Sequence, residues 1–162
     1  MLGADYAGYF PWNDVEDYDL PDCNSPGCVA LTSFDPTSIK ALADIDRDQL
    51  TQVMVNLIKN AVESMEGREG EVRIKTEELP ETGRIHITVA DQGCGIRPED
   101  RERIFQPFFT TKSIGKGVGL GLPICYGIVK MHRGTIWYDS VVGSGTQFHI
   151  ELPKTQAMAG RS

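Results

Sequence analysis

Apolar positions along the chain follow two periods, and the switch between them marks out helices and strands. Leu50, Val53, Met54, Leu57, Ile58, Ala61 and Met65 recur at the three- and four-residue spacing of one helix face. Asp46-Arg47-Asp48-Gln49 precedes that stripe as a capping box, with Asp46 as N-cap and Gln49 at N3. Gly67 and Gly70 close the helix. Over 71–79 and 84–90 the period becomes two. Val72 and Ile74, then Ile85, Ile87 and Val89, alternate with polar residues across the turn Pro80-Glu81-Thr82-Gly83. This predicts a hairpin with one buried face. The run 29–34 reads as a strand, and Pro98 opens a short helix over 98–104. A second long helix covers about 120–132, stopped by Gly134. Strands over 135–141 and 146–152 close the pattern around Gly143-Ser144-Gly145.

Hairpins dominate this order and helices are few. The predicted fold class is α+β: a two-layer sandwich of a mixed, mostly antiparallel sheet with helices on one face. A doubly wound parallel sheet does not fit.

Charge divides the chain. Residues 1–39 carry seven acidic residues and no Lys or Arg, whereas 40–162 hold 16 of each sign. The globular part is balanced, and no basic patch favours nucleic acid. Residues 1–26 mix acids with Tyr6, Tyr9, Phe10, Trp12 and Tyr18 in no regular period, and read as an arm or linker. The globular domain proper is expected over 27–153, with a frayed tail over 154–162. No apolar run approaches the ~18 residues of a membrane span, and no signal peptide is evident. These features predict a soluble, cytoplasmic piece without direct membrane contact, compatible with a membrane-anchored parent. Cys23 and Cys28 flank a turn sequence. They read as ordinary thiols, with a small disulfide or half a zinc site as alternatives. Cys94 and Cys125 are expected to pack.

Three motifs carry candidate polar chemistry. Asn56 and Asn60 stand four apart on the first helix, so their amides share a face, and Glu63 continues the line. An amide oxygen suits magnesium when phosphates supply the negative charge. Asp91 ends an apolar strand, where a carboxylate can accept from an exocyclic amine. Gly93 and Gly95 after it allow a flat base to approach the backbone. Gly115, Gly117, Gly119 and Gly121 lead into a helix whose bare N–H groups favour phosphate, with Lys112 and Lys116 adding charge. Each alone has a plain alternative: solvated asparagines, an Asp-x-Gly turn, a flexible linker. No P-loop occurs, because Gly115-Lys116 is followed by glycine. A dinucleotide fingerprint fails at Pro98.

Together with Phe105-Gln106-Pro107-Phe108-Phe109, this constellation resembles the nucleotide-binding catalytic domain of sensor histidine kinases. That domain belongs to the wider gyrase–chaperone–kinase–mismatch-repair ATPase superfamily. The resemblance covers about residues 28–153. Residues 56–60 match the N box, 91–95 the first glycine box, 105–109 the F box, 117–121 the second glycine box and 143–146 a terminal one. Pro107-Phe108-Phe109-Thr110-Thr111-Lys112 and the helix from Gly121 to Val129 look like histidine kinases specifically.

The resemblance implies a Bergerat-type fold with ATP and Mg2+ as cofactors. It implies that Asn60 is the metal ligand, that Asp91 reads adenine, and that residues 106–118 form a mobile lid. It implies catalytic roles for Asn56 and Lys112. Nucleotide contacts are implied for Asn56, Lys59, Asn60, Glu63, Asp91, Gly93, Gly95, Ile96, Phe105, Thr110, Thr111, Lys112, Gly117, Val118, Gly119, Leu120, Gly121, Leu122 and Thr146. In gyrase-like and chaperone-like relatives a glutamate four residues before the metal asparagine activates water. Here that place is Asn56, and a neutral amide cannot act as a general base. No phosphoacceptor motif is found. His86 and His149 lie in strands and His132 ends a helix, and all three read as structural or solvated. The implied partner is therefore a histidine-bearing dimerisation domain and, through it, a response regulator. The alternatives are a nucleotide-gated module like the anti-sigma-factor serine kinases, or a superfamily ATPase.

Overall fold

The computed structural model of the chain describes residues 29–32, 45–112 and 117–154, with only the backbone path for 29–32. The expected arm at 1–26, Cys23, Cys28, the lid centre with Lys116 and the tail beyond Lys154 lie outside the described residues. The described elements run β1 (Val29–Thr32), α1 (Arg47–Ser64), β2 (Gly70–Leu79), β3 (Arg84–Asp91), a 3-10 turn (Pro98–Asp100), α2 (Gly121–Met131), β4 (Thr135–Val141) and β5 (Gly145–Pro153).

The strands form one sheet in the order β1-β2-β3-β5-β4. β1 runs parallel to β2, and every other pair is antiparallel. Register aligns the alternating apolar residues. Ile74 faces Val89, Val89 faces Phe148, and Ile87 faces Ile150. These side chains therefore project to one side, where they join Leu50, Val53, Leu57 and Ala61 of α1 and Cys125, Ile128 and Val129 of α2 in a single core. Each fully buried Leu, Ile or Val contributes roughly 1.5–3 kcal/mol. The result is the expected two-layer sandwich, with its other sheet face turned away from both helices.

Three local details differ from the expectation. The capping box forms only half: Asp46 Oδ1 accepts from Gln49 N at 3.0 Å, but Asp46 N donates to His132 Nε2 at 3.3 Å rather than to Gln49. His132 Nδ1 lies 2.8 Å from Ile128 O, so it carries the proton and Nε2 is the acceptor. A histidine at the end of α2 thus caps the start of α1. The helix expected over 98–104 is a single 3-10 turn followed by further turns. Its backbone bonds run i to i−3, as in Arg103 N to Asp100 O and Gln106 N to Arg103 O, and Ile104 is the one buried apolar anchor in that stretch. Finally, Cys125 is buried as expected, but Cys94 is exposed, because its neighbours Gly93 and Gly95 make the close contacts instead.

Candidate nucleotide site

Asp91 sits where β3 leaves the sheet, and three donors converge on one of its oxygens. Gly93 N lies 2.8 Å from Oδ1, Ser64 Oγ 3.0 Å and Thr146 N 3.2 Å. Ser64 Oγ also lies 2.7 Å from Ala61 O, so its one proton is shared between that carbonyl and the carboxylate. The carboxylate is thereby oriented from α1, from its own turn and from β5. Burial raises its pKa above the usual carboxylate value, against the opposing pull of Gly93, Ser64 and Thr146.

The loop after Asp91 is clamped at close range. A Cβ on Gly93 would fall 1.9 Å from Ser64 Oγ and 2.8 Å from the Ser64 carbonyl carbon. Gly95 has φ of +73° and lies against the Val141 carbonyl. Cys94 N donates to Ser64 O at 3.1 Å, and Cys94 O accepts from Gly143 N at 2.8 Å. Ile96 N donates to Ser140 Oγ at 2.8 Å, and that hydroxyl reaches Thr146 Oγ1 at 3.0 Å. Gly93→Ala should therefore push the loop off Ser64 and cost about 1–3 kcal/mol, read as a lower midpoint in urea. An unchanged midpoint would contradict the clamp.

On α1, Asn56, Lys59, Asn60 and Glu63 line the edge of the apolar stripe. Asn56 Nδ2 donates to Gly121 O at 3.4 Å, at the start of α2. Lys112 Nζ donates to Asn60 Oδ1 at 3.3 Å and forms an ion pair with Glu63. Lys59 Nζ stands 4.0 Å from Glu63. Asn60 and Glu63 therefore already hold a cation, the chain's own ammonium. Among the described residues no cluster of three His, Cys, Asp or Glu could hold a metal alone. A metal here must bring ligands of its own.

The described ends of the expected lid segment meet. Phe108 N donates to Gly119 O at 2.9 Å. Phe108 adopts φ of +66°, rare for a bulky residue, and its ring is 73% exposed. Phe105 packs instead between Tyr126 and Tyr138. Thr110 Oγ1 accepts from Lys112 N at 3.2 Å, and Gly117 lies against the Lys112 side chain. Thr111 and Val118 are exposed, Leu120 is the N-cap of α2 without a side-chain cap, and Leu122 packs on the core. A cleft of about 450 Å3 is lined by Arg97, Asp100, Arg103 and residues 106–111.

The structure thus brings Asn56, Asn60, Glu63 and Lys112 together, and Asp91, Gly93, Gly95, Ile96 and Thr146 together. Sequence reasoning missed Ser64 and Ser140. Ser64 continues the spacing of Asn56 and Asn60 by one more turn, a signal that could have found it. Ser140 acts through strand pairing that no local pattern reveals.

The family described as histidine kinase-, DNA gyrase B- and HSP90-like ATPase matches residues 45–156. The chain belongs to this family. Within it, sensor kinase CckA of Brucella abortus is 44% identical over 67% of this chain and 13% of that protein. Sporulation kinase A of Bacillus subtilis is 42% identical over 81% of this chain and 20% of that protein. The chain therefore spans a fifth or less of these two relatives. Among solved structures, the nucleotide-free catalytic domain of histidine kinase ThkA superimposes with a TM-score of 0.61 at 35% identity, covering 78% of this chain and 76% of that one. Full-length ShkA in complex with AMPPNP gives 0.61 at 32% identity, covering 81% and 26%. This family member is an ATP-binding domain of the sensor histidine kinase type. No helix among the described residues is long and apolar enough to cross a membrane.

Proposed function

We propose that this domain binds ATP with Mg2+ and transfers the γ-phosphate to a histidine on a dimerisation domain, which passes it to a response regulator. The base lies at Asp91. Oδ1 is saturated by its three donors, which leaves Oδ2 to accept from the adenine amine, while Gly93 and Gly95 admit the ring. Ile96, Phe105 and Leu122 form apolar surroundings, and Thr146 holds the carboxylate through its backbone. The phosphates lie beneath the lid, toward the uncapped N–H groups of α2. Gly117, Gly119 and Gly121 keep that backbone bare, with Val118 and Leu120 between them. Thr110, Thr111, Lys59 and Lys112 supply donors and charge.

The metal site fits the residues present. Asn60 Oδ1 and Glu63 offer hard oxygen ligands, and the ammonium of Lys112 already marks the place as cation-binding. Asn60 would hold the ion directly, and a magnesium bound there would supply neutralisation of phosphate charge. The protein's own part is to position and to exclude competing reactions.

One observation carries transfer over hydrolysis. The place for a water-activating carboxylate holds Asn56, a neutral amide whose Nδ2 is bonded to Gly121 O. Glu63, the carboxylate that continues that face, is already engaged by Lys112 and Lys59. Incubated with labelled ATP, the chain alone should neither label itself nor turn over quickly. With a helical acceptor domain supplied in trans, label should appear on histidine as an acid-labile, base-stable product. Rapid hydrolysis without acceptor would favour the ATPase reading.

A further inference from the structure

Ser64 is the last residue of α1 and the one side chain among the three donors that reach Asp91 Oδ1. The other two, Gly93 N at 2.8 Å and Thr146 N at 3.2 Å, belong to the main chain. The Ser64 hydroxyl has two acceptors within reach, Asp91 Oδ1 at 3.0 Å and Ala61 O at 2.7 Å. Ala61 O is available because the helix tightens as it ends. Met65 N turns to Val62 O at 3.2 Å and Glu66 N to Glu63 O at 3.2 Å, so Ala61 O loses the donor that a continuing helix would bring.

Two features favour the carboxylate as the acceptor that matters. A hydrogen bond to an ionised oxygen is roughly twice as strong as one between neutral groups. The glycine loop is also fitted around the hydroxyl. A Cβ on Gly93 would fall 1.9 Å from Ser64 Oγ and 2.6 Å from Ser64 Cβ, while Cys94 N ties the loop to Ser64 O at 3.1 Å. A bare residue at 93 thus leaves the space between the end of α1 and Asp91 to the serine hydroxyl.

We propose that Ser64 is a positioning residue for base recognition: its hydroxyl fixes Asp91 Oδ1 from the helix and so holds Oδ2 toward the base. This rests on the reading of Asp91 as the base-binding carboxylate. Without Ser64 the carboxylate is held only from its own turn and from β5, and its plane is free to swing away from α1. Selectivity for adenine then depends on the last turn of α1, next to the Asn60 and Glu63 that face Lys112. A serine that spends its proton on Ala61 O alone would end the helix and leave selectivity untouched.

The test uses Ser64→Ala in the 162-residue chain. Alanine is the better helix former, so the urea midpoint should stay near that of the wild type. First, the carboxyl 13C shift of Asp91 is followed with pH in the absence of nucleotide. Burial raises the proton affinity of Asp91, while Gly93 N, Ser64 and Thr146 N lower it, with no ionised side chain among the causes. Losing the Ser64 donor should move the midpoint up by about half a pH unit or more.

Second, calorimetric titration with magnesium at neutral pH compares ATP with purine riboside triphosphate, which lacks the exocyclic amine. The wild type should prefer ATP. Ser64→Ala should weaken ATP about 2- to 10-fold, the range of one hydrogen bond, and leave the amine-free nucleotide unchanged. Added to Asp91→Asn, it should cost ATP little further, because the carboxylate it positions is gone. An unmoved Asp91 titration, or equal losses for both nucleotides, would overturn the proposal and assign the hydroxyl to the helix end. A wild type that binds the two nucleotides alike would overturn the reading of Asp91 itself, and the nucleotide-free titration tells the two failures apart.

Discussion

Asp91→Asn is expected to lower affinity for ATP about 10- to 150-fold, the range of a hydrogen bond to a charged group, while leaving the fold at least as stable at neutral pH. The two effects have one origin. Three donors fix Oδ1, so the asparagine oxygen takes that place and its NH2 group turns toward the base. The adenine amine then meets a donor instead of an acceptor. Guanine presents a carbonyl at the same position, so preference should shift toward GTP. Stability moves the other way. The folded pKa of Asp91 is raised by burial, so the fold favours its protonated form. Stability from this group is present below the ordinary carboxylate value and is lost as pH rises through the folded one. At neutral pH the buried charge is a net cost to folding, and asparagine removes it. In the wild type, ATP affinity should fall as pH is lowered through that raised value. Calorimetric titration with both nucleotides, beside urea unfolding, reads all of this. Unchanged nucleotide selectivity would move the base elsewhere.

Much of this arrangement was legible in the sequence, for a physical reason. Period-two and period-3.6 patterns report burial directly, so Ile85, Ile87 and Val89, and Leu50, Val53 and Leu57, announced their elements. Asn56, Asn60 and Asp91 were legible because polar groups at the edge of an apolar stripe, or at the end of an apolar strand, need a purpose. What stayed hidden was set by long-range pairing. His132 replaces Gln49 as the partner of Asp46 N because α2 ends beside the start of α1, 86 positions along the chain. Ser140 meets Ile96 across 44 positions. His86 and His149 each looked like an isolated strand residue. Only the register of β3 on β5, which sets Thr88 opposite His149 and His86 opposite Glu151, places the two rings on one diagonal. The short helix over 98–104 failed for a local reason: one buried anchor cannot hold two full turns.

Asn60→Ala should abolish the magnesium dependence of ATP affinity and lower phosphotransfer by at least about 100-fold, the scale on which losing one charge-stabilising group usually acts. The fold should survive, since alanine is the better helix former by a few tenths of a kcal/mol and the described bond of the Asn60 amide oxygen is only with Lys112. Asn60→Asp separates two roles of that position. It keeps an oxygen ligand, so magnesium dependence should persist, but it adds a second carboxylate beside Glu63 for Lys112 to bind. The ammonium then competes harder for the site, and saturation should need more magnesium than in the wild type. Combining Asn60→Asp with Lys112→Ala should remove that excess requirement even where transfer itself is impaired, because the readout is metal-dependent nucleotide binding. The same contact ties the expected lid segment to α1, so Lys112→Ala alone should speed hydrogen exchange over 106–112. Retained magnesium enhancement in Asn60→Ala would place the metal on Glu63 instead.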